Sequence, residues 1–404
     1  MGQEHGLNRT KGLRGMENVW AIGPLQVVLA QQVVENHYVV VEGKHIRQIC
    51  EVHELPPQCE LVETKPHFKL MPGMIDQHIH GIAGADAMDG AVESLQTISR
   101  ALARHGVTSF LATTMTANIE TLQQVVQTIE QQKDCVTGAK IIGIHLEGPF
   151  INPIQKGAQS DEFIVKPSLE LFQQIEQAAP GFIKLVTIAA ERDDEQALCA
   201  YLKTKQIAIS LGHSDATYEQ TQQLLAKAYI QNATHFSNGM RGIHHREPGL
   251  QIALLQSMCT IEMIADGFHV HPAMIQFLFE SVGEDRMILI SDSMRAADLV
   301  DGIYDLGGQQ VCVENGLCKL VGKDNIAGST LNLNLARQHM KQWLGLSDVT
   351  LAKLTATNSA ILLGLSENKG SIAVGKDADF FVIDDKEQVR LTVSEGTVIY
   401  QYEG

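Results

Sequence analysis

The chain has 404 residues, 44% hydrophobic and 19% charged, with 34 Gly and 11 Pro, a composition that excludes collagen-like and intrinsically disordered chains. Its 31 Lys and Arg against 47 Asp and Glu give a formal charge of -16, which repels nucleic acid and anionic lipid and excludes both as expected partners. The seven cysteines (Cys50, Cys59, Cys135, Cys199, Cys259, Cys312, Cys318) are scattered and never form Cys-x-x-Cys, so a reducing, cytoplasmic compartment is expected.

Residues 1–15 (MGQEHGLNRTKGLRG) lack the apolar stretch of a signal peptide and read as a disordered leader or an added tail. No apolar run reaches the roughly 18 residues that a membrane-spanning helix needs. From 16 to 69 the text reads as short strands (VVLAQQVV, HYVVVEGKHIRQI, CELVET) separated by turn formers such as Glu42-Gly43 and Pro56-Pro57. Residues 70–365 change texture, with short apolar runs alternating with amphipathic stretches. The runs lie at 70–80, 107–114, 140–148, 182–189, 207–214, 232–238, 260–267 and 286–293, and eight of them predict an α/β (β/α)8 TIM-type barrel. Val92, Leu95, Ile98 and Leu102 then fall on one helical face, with Gly106 as a stop.

Beyond Asp292 the glycines at 302, 307, 308, 316 and 322 predict a hairpin excursion, followed by helices over 331–344 and 351–363. Residues 366–404 alternate apolar and polar again. They pair with 16–69 in the expected organisation, a small β-sandwich domain built from both chain termini.

Each polar cluster falls where a barrel strand ends, the rim on which this architecture carries its chemistry. Strand one ends in His78-Ile79-His80, and alternate strand residues share a face, so both imidazoles point at one ion. That spacing alone is common by chance. It gains weight from Glu147 at the end of strand three, His213 at the end of strand five and His235 at the end of strand six, because four histidines and a carboxylate on one rim read as a metal centre. Asp292, in Ser-Asp-Ser at the end of strand eight, is placed to take a proton from metal-activated water and return it to a leaving group. Neither Cys nor Lys joins the cluster. Imidazole with carboxylate suits Zn, Fe or Mn, and composition does not choose among them.

In order, MPGMIDQHIHG, GIHLEGPFINPIQKGA, SLGHSDAT, ATHFSNGM, HHREPG, IADGFHVHP, LISDSMRAADLVDGIYDLGG, IAGSTL and GSIAVGKDADF resemble the amidohydrolase superfamily, and within it the family that deacetylates amino-sugar 6-phosphates. The resemblance runs from about residue 17 to the C-terminus. It implies hydrolysis of the N-acetyl group of N-acetyl-D-glucosamine 6-phosphate by metal-activated water, without an acyl-enzyme. By motif it makes Glu147, His213 and His235 ligands of the metal common to the family, and His78 and His80 ligands of a second ion. Asp292 takes the position of the catalytic aspartate and ligand, so one or two Zn or Fe ions per subunit are implied, with Mn as a further choice.

The same resemblance assigns His269 to the sugar, Asn238, Gly239 and Arg246 to the phosphate, and Ile326 to backbone contact with the sugar. His245 lies beside Arg246 in the same basic run, and Arg246 is expected to reach the site of a neighbouring subunit in a homodimer. Ala158 and Gln159 stand in Lys-Gly-Ala-Gln, where many relatives read Lys-Gly-Ala-His; glutamine donates a hydrogen bond but does not titrate. Two other readings are weighed, the N-acetylgalactosamine 6-phosphate epimer as substrate and a non-catalytic barrel used for assembly.

Overall fold

The computed structural model describes residues 19–403; the leader expected over 1–15 lies outside the described residues. Eight parallel strands, Met74–Ile79, Val107–Thr113, Lys140–Glu147, Ile183–Ile188, Ala208–Leu211, Asn232–Ala233, Thr260–Ile264 and Met287–Ile290, are hydrogen-bonded in chain order. We refer to them as strands one to eight. At the C-terminal rim the first and last meet, where Asp292 N donates to His78 O at 2.9 Å and His80 N to Ser293 O at 3.0 Å. The closure is therefore made by site residues themselves. All of strand one is buried, as in a parallel sheet covered by helices on its outer face.

The helix Val92–Arg104 turns Leu95, Ile98 and Leu102 inward, three of the four residues on the expected stripe, while Val92 in its first turn is exposed. Gly106 follows at φ 81°, and a Cβ there would lie 2.8 Å from the Phe381 ring. Glycine is thus required by conformation and by packing.

Strand one is shorter than expected. The chain breaks at Gly73, so that Lys69–Pro72 pairs with Gln26–Val27 and Phe380–Ile383, and Met74 onward belongs to the barrel. A Cβ on Gly73 would come within 2.3 Å of Thr108 Oγ1, which is why the crossing is made at glycine. Lys69–Pro72 is one of eight strands, with Trp20–Val28, Val33–Glu42, His45–Cys50, Glu60–Glu63, Phe380–Ile383, Val389–Ser394 and Thr397–Gln401, in a continuous sheet drawn from both ends of the chain. Strand alternation divides Phe380–Ile383 between two cores: Phe380 and Val382 pack inside this sheet, Phe381 and Ile383 against the barrel.

After strand eight, Gly302–Leu306, Gln309–Glu314 and Leu317–Leu320 form a three-stranded antiparallel sheet. A helix over Leu333–Leu344 follows, then a helical run from Asp348 to Leu362 that passes through a π turn at Lys353–Thr357. Among the described residues no helix is long and apolar enough to cross a membrane.

Candidate active site

Glu147 ends strand three and is buried at the centre of the rim. Its Oε1 lies 3.4 Å from His78 Nε2, 3.3 Å from His213 Nε2 and 3.2 Å from His235 Nε2, and its Oε2 lies 3.3 Å from His80 Nε2. The carboxylate therefore belongs to two groups of potential metal ligands at once, His78–His80–Glu147 and Glu147–His213–His235. Asp292 Oδ1 stands 3.3 Å from both His78 Nε2 and His80 Nε2. His213, His235 and Asp292 hold φ of 46°, 28° and 46°, a left-handed conformation that non-glycine residues adopt at some cost and that concentrates at functional sites.

The donor set fits a divalent cation. His213 Nδ1 donates to Gln155 O at 2.8 Å and His235 Nδ1 to Asn238 O at 3.1 Å. With those protons so placed, each neutral ring presents a lone pair at Nε2, and the two Nε2 atoms face each other at 3.1 Å. Two acceptors that close repel unless a cation lies between them. Electrostatics point the same way: burial disfavours a charged His80, yet Asp292 and Glu147 raise its pKa to about 10. Burial likewise opposes the charge of Asp292, but His78 and His80 hold its pKa down at about 2. The cluster is a strong sink for positive charge.

Beneath this rim a ring of polar side chains runs round the barrel interior. Glu262 of strand seven accepts from Gln77 Nε2 (2.7 Å), His78 Nδ1 (3.0 Å), Asn232 Nδ2 (3.0 Å) and His235 N (3.1 Å). From Asn232 the ring continues through Ser210, Thr234 and Thr187 to His145, whose Nδ1 faces Gln77 O at 3.2 Å. A carbonyl only accepts, so His145 carries its proton on Nδ1 and takes the Thr187 hydroxyl proton at Nε2. Burial and the nearby His78 charge lower the pKa of His145 to about 3, which keeps it neutral in that role. Sequence reasoning missed this ring. Its one signal was Glu262, a carboxylate in the middle of the apolar run TIEMI.

Above the rim a cavity of about 280 Å³ is walled by His80, Glu147, His213, His235 and Asp292, and also by Ala158, Gln159, Asn238, Gly239, His269 and Ile326. Gly239, at φ 56°, could not be replaced without a Cβ 2.9 Å from His213 Nδ1. His269 is oriented by Asp266, which accepts from its Nδ1 at 2.6 Å and from its backbone N at 2.9 Å. Leu306, Asn325 and Met115 also line it. None of these three was anticipated; Leu306 comes from the glycine-punctuated excursion, which Gln309 ties to Ala158 O.

Gln159 spends its amide inside the protein: Nε2 donates to Glu147 Oε2 at 2.8 Å and Oε1 accepts from Thr116 N at 2.8 Å. His245 and Arg246 stand apart. They are exposed, 2.7 Å from each other, and do not line the cavity of their own chain.

Residues 70–399 match the model of the Amidohydrolase family. The chain is 38% identical to the N-acetylglucosamine-6-phosphate deacetylase of Bacillus subtilis, over 94% of its own length and 96% of that protein. It is 34% identical to the N-acetylgalactosamine-6-phosphate deacetylase of Escherichia coli O157:H7, over 78% and 83% of the two chains. Among solved structures it resembles a mutant N-acetyl-D-glucosamine-6-phosphate deacetylase of Mycobacterium smegmatis in complex with N-acetyl-D-glucosamine-6-phosphate, at TM-score 0.88 and 29% identity, covering 95% of this chain and 100% of that one.

Proposed function

The chain belongs to the amidohydrolase family, and from that premise we propose that it is an N-acetylglucosamine-6-phosphate deacetylase, converting N-acetyl-D-glucosamine 6-phosphate to D-glucosamine 6-phosphate and acetate. The observation that carries the reading is Glu147, one buried carboxylate shared by two pairs of histidines with Asp292 beside them. Zn or Fe, with Mn as a further choice, supplies Lewis-acid polarisation of the amide carbonyl and acidifies a water when bound there. Glu147, His213 and His235 would hold one ion, and His78 and His80 with Glu147 would hold a second, with Asp292 beside His78 and His80.

Asp292 is the general base and then the general acid. Its carboxylate takes a proton from the attacking water as the new C–O bond forms and passes it to the sugar nitrogen as the C–N bond breaks. His269, its Nδ1 proton held by Asp266, presents the other ring edge to the cavity and orients the substrate. Gln159 acts on Glu147 rather than on the carbonyl, which leaves carbonyl polarisation to the cation. Asn238 and Gly239 face the phosphate end, and Ala158 and Ile326 lie against the sugar. The enzyme is a cytoplasmic homodimer in which Arg246, with His245 beside it, leaves its own chain to bind the phosphate in a neighbour's site. Arginine suits that task through its two-pronged geometry.

The test is acetate release from the 6-phosphates of N-acetylglucosamine and N-acetylgalactosamine, side by side, after loading with Zn, Fe(II) or Mn. Faster release from the glucosamine substrate is expected. Preference for the galactosamine epimer would transfer the assignment to that activity, and silence on both under every metal would favour a non-catalytic barrel.

A further inference from the structure

Three of the four histidines at the centre have a partner for the nitrogen that turns away from it. His78 Nδ1 meets Glu262, His213 Nδ1 meets Gln155 O and His235 Nδ1 meets Asn238 O. His80 Nδ1 is buried without one. Among the other buried polar atoms without a hydrogen-bond partner are Asp86 Oδ2 and Arg295 Nε, and both belong to segments bonded to the end of strand one.

The chain leaves His80 in a tight hairpin, Gly81–Ile82 against Ala85–Asp86, turning through Ala83 and Gly84 at φ 55° and 88°. A Cβ on Gly81 would lie 2.1 Å from Ala85 O and 3.0 Å from Asp86 Cα, so the glycine is what lets Asp86 fold back so closely. Ala87 N then donates to His80 O at 2.8 Å, and Gly84 N to Arg295 O at 2.7 Å. Arg295 Nη2 is 2.9 Å from Asp89 Oδ1 and 3.8 Å from Asp86 Oδ2. Burial pushes the Asp86 carboxyl up, so its unpaired oxygen calls for a donor. Buried polar atoms are paired with protein or ordered water as a rule, and these three atoms on adjoining segments, two donors and one acceptor, are the complement that one water satisfies.

We propose that Asp86 and Arg295 are positioning residues for His80: one bound water accepts from His80 Nδ1 and Arg295 Nε and donates to Asp86 Oδ2, turning Nε2 toward Glu147 and Asp292. The pair thereby sets the affinity of the ion held by His78 and His80, a consequence that rests on the two-ion reading above. Outer partners of metal-bound histidines have effects of that kind.

Asp86→Asn is the informative variant. Asparagine keeps Oδ1 for Met88 N, which it accepts at 2.9 Å, while replacing the acceptor Oδ2 with a donor. The reads are ions per subunit, the dissociation constant of each ion by chelator competition, and the His80 tautomer by 15N NMR. Roughly 10- to 100-fold weaker binding of the His78–His80 ion is expected, with the other ion unaffected and the His80 Nδ1 proton signal lost; Arg295→Gln should do the same without touching Asp86. Wild-type affinity and an unchanged tautomer in both variants would overturn the inference. If the wild-type protein binds one ion and His80→Ala leaves the metal content unchanged, the two-ion reading fails, and the tautomer alone then decides the role of the pair. Its loss in Asp86→Asn upholds that role, and its persistence removes it.

Discussion

Asp292 sits in the left-handed region, φ 46°, with its Oδ1 3.3 Å from two imidazole nitrogens. That placement makes it the group whose removal separates metal binding from chemistry. Asp292→Asn should lower kcat by about 10²- to 10⁴-fold, the range of a lost general base, while Glu147, His213 and His235 still load their ion; steady-state kinetics with metal analysis on the same sample checks both. Glu262 acts one layer lower. It receives four donors, and exchanging it for glutamine turns an NH2 group toward some of them, which buried sites tolerate poorly. Glu262→Gln should weaken metal binding by about 10- to 100-fold, read by chelator competition. The candidate metal ligands were legible because imidazoles and carboxylates stand at strand ends. Glu262, Thr187 and His145 were not, since a polar ring inside a barrel is assembled from one or two residues on each of six strands and leaves no local spacing.

At the scale of elements, Phe380–Ile383 joins two cores by alternation, with Phe381 fully buried against the barrel. Phe381→Ala removes that contact and the ring packed on Gly106, and should cost about 3–5 kcal/mol, measured by denaturant unfolding. A second tie is ionic. Asp348 accepts from Lys69 of the terminal sheet at 2.5 Å and from Lys341 of the Leu333–Leu344 helix at 3.0 Å. Burial opposes its charge, but the two lysines hold its pKa below the ordinary carboxylate value. A group depressed in the folded state contributes its stability in full above the unfolded pKa of about 3.9 and loses it as pH falls through the folded pKa. Tm should therefore drop as pH falls below about 4, and Asp348→Asn should be less stable at pH 7 with a shallower acid slope. Apolar runs revealed all eight barrel strands, but the break at Gly73 stayed hidden: Lys69–Pro72 and Met74–Ile79 are equally apolar in sequence, and only the Thr108 side chain against Gly73 shows where one sheet hands over to the other.

For the whole molecule, a net charge of -16 and an anionic substrate would be reconciled by local positive charge, from a cation held by the rim and from Arg246 in the exposed loop of the proposed dimer. The barrel closes through backbone bonds made by His78, His80 and Asp292, next to the side chains that could hold a metal, so metal removal should lower Tm as well as activity. The most direct measurement strips the purified protein with a chelator, then follows acetate release from N-acetylglucosamine 6-phosphate as Zn or Fe(II) is titrated back, with Asp292→Asn alongside. Activity that vanishes on stripping, returns with one or two ions per subunit, and never returns in a variant that still binds metal is the predicted result. Undiminished turnover by the stripped protein, or full turnover by Asp292→Asn, would contradict the account.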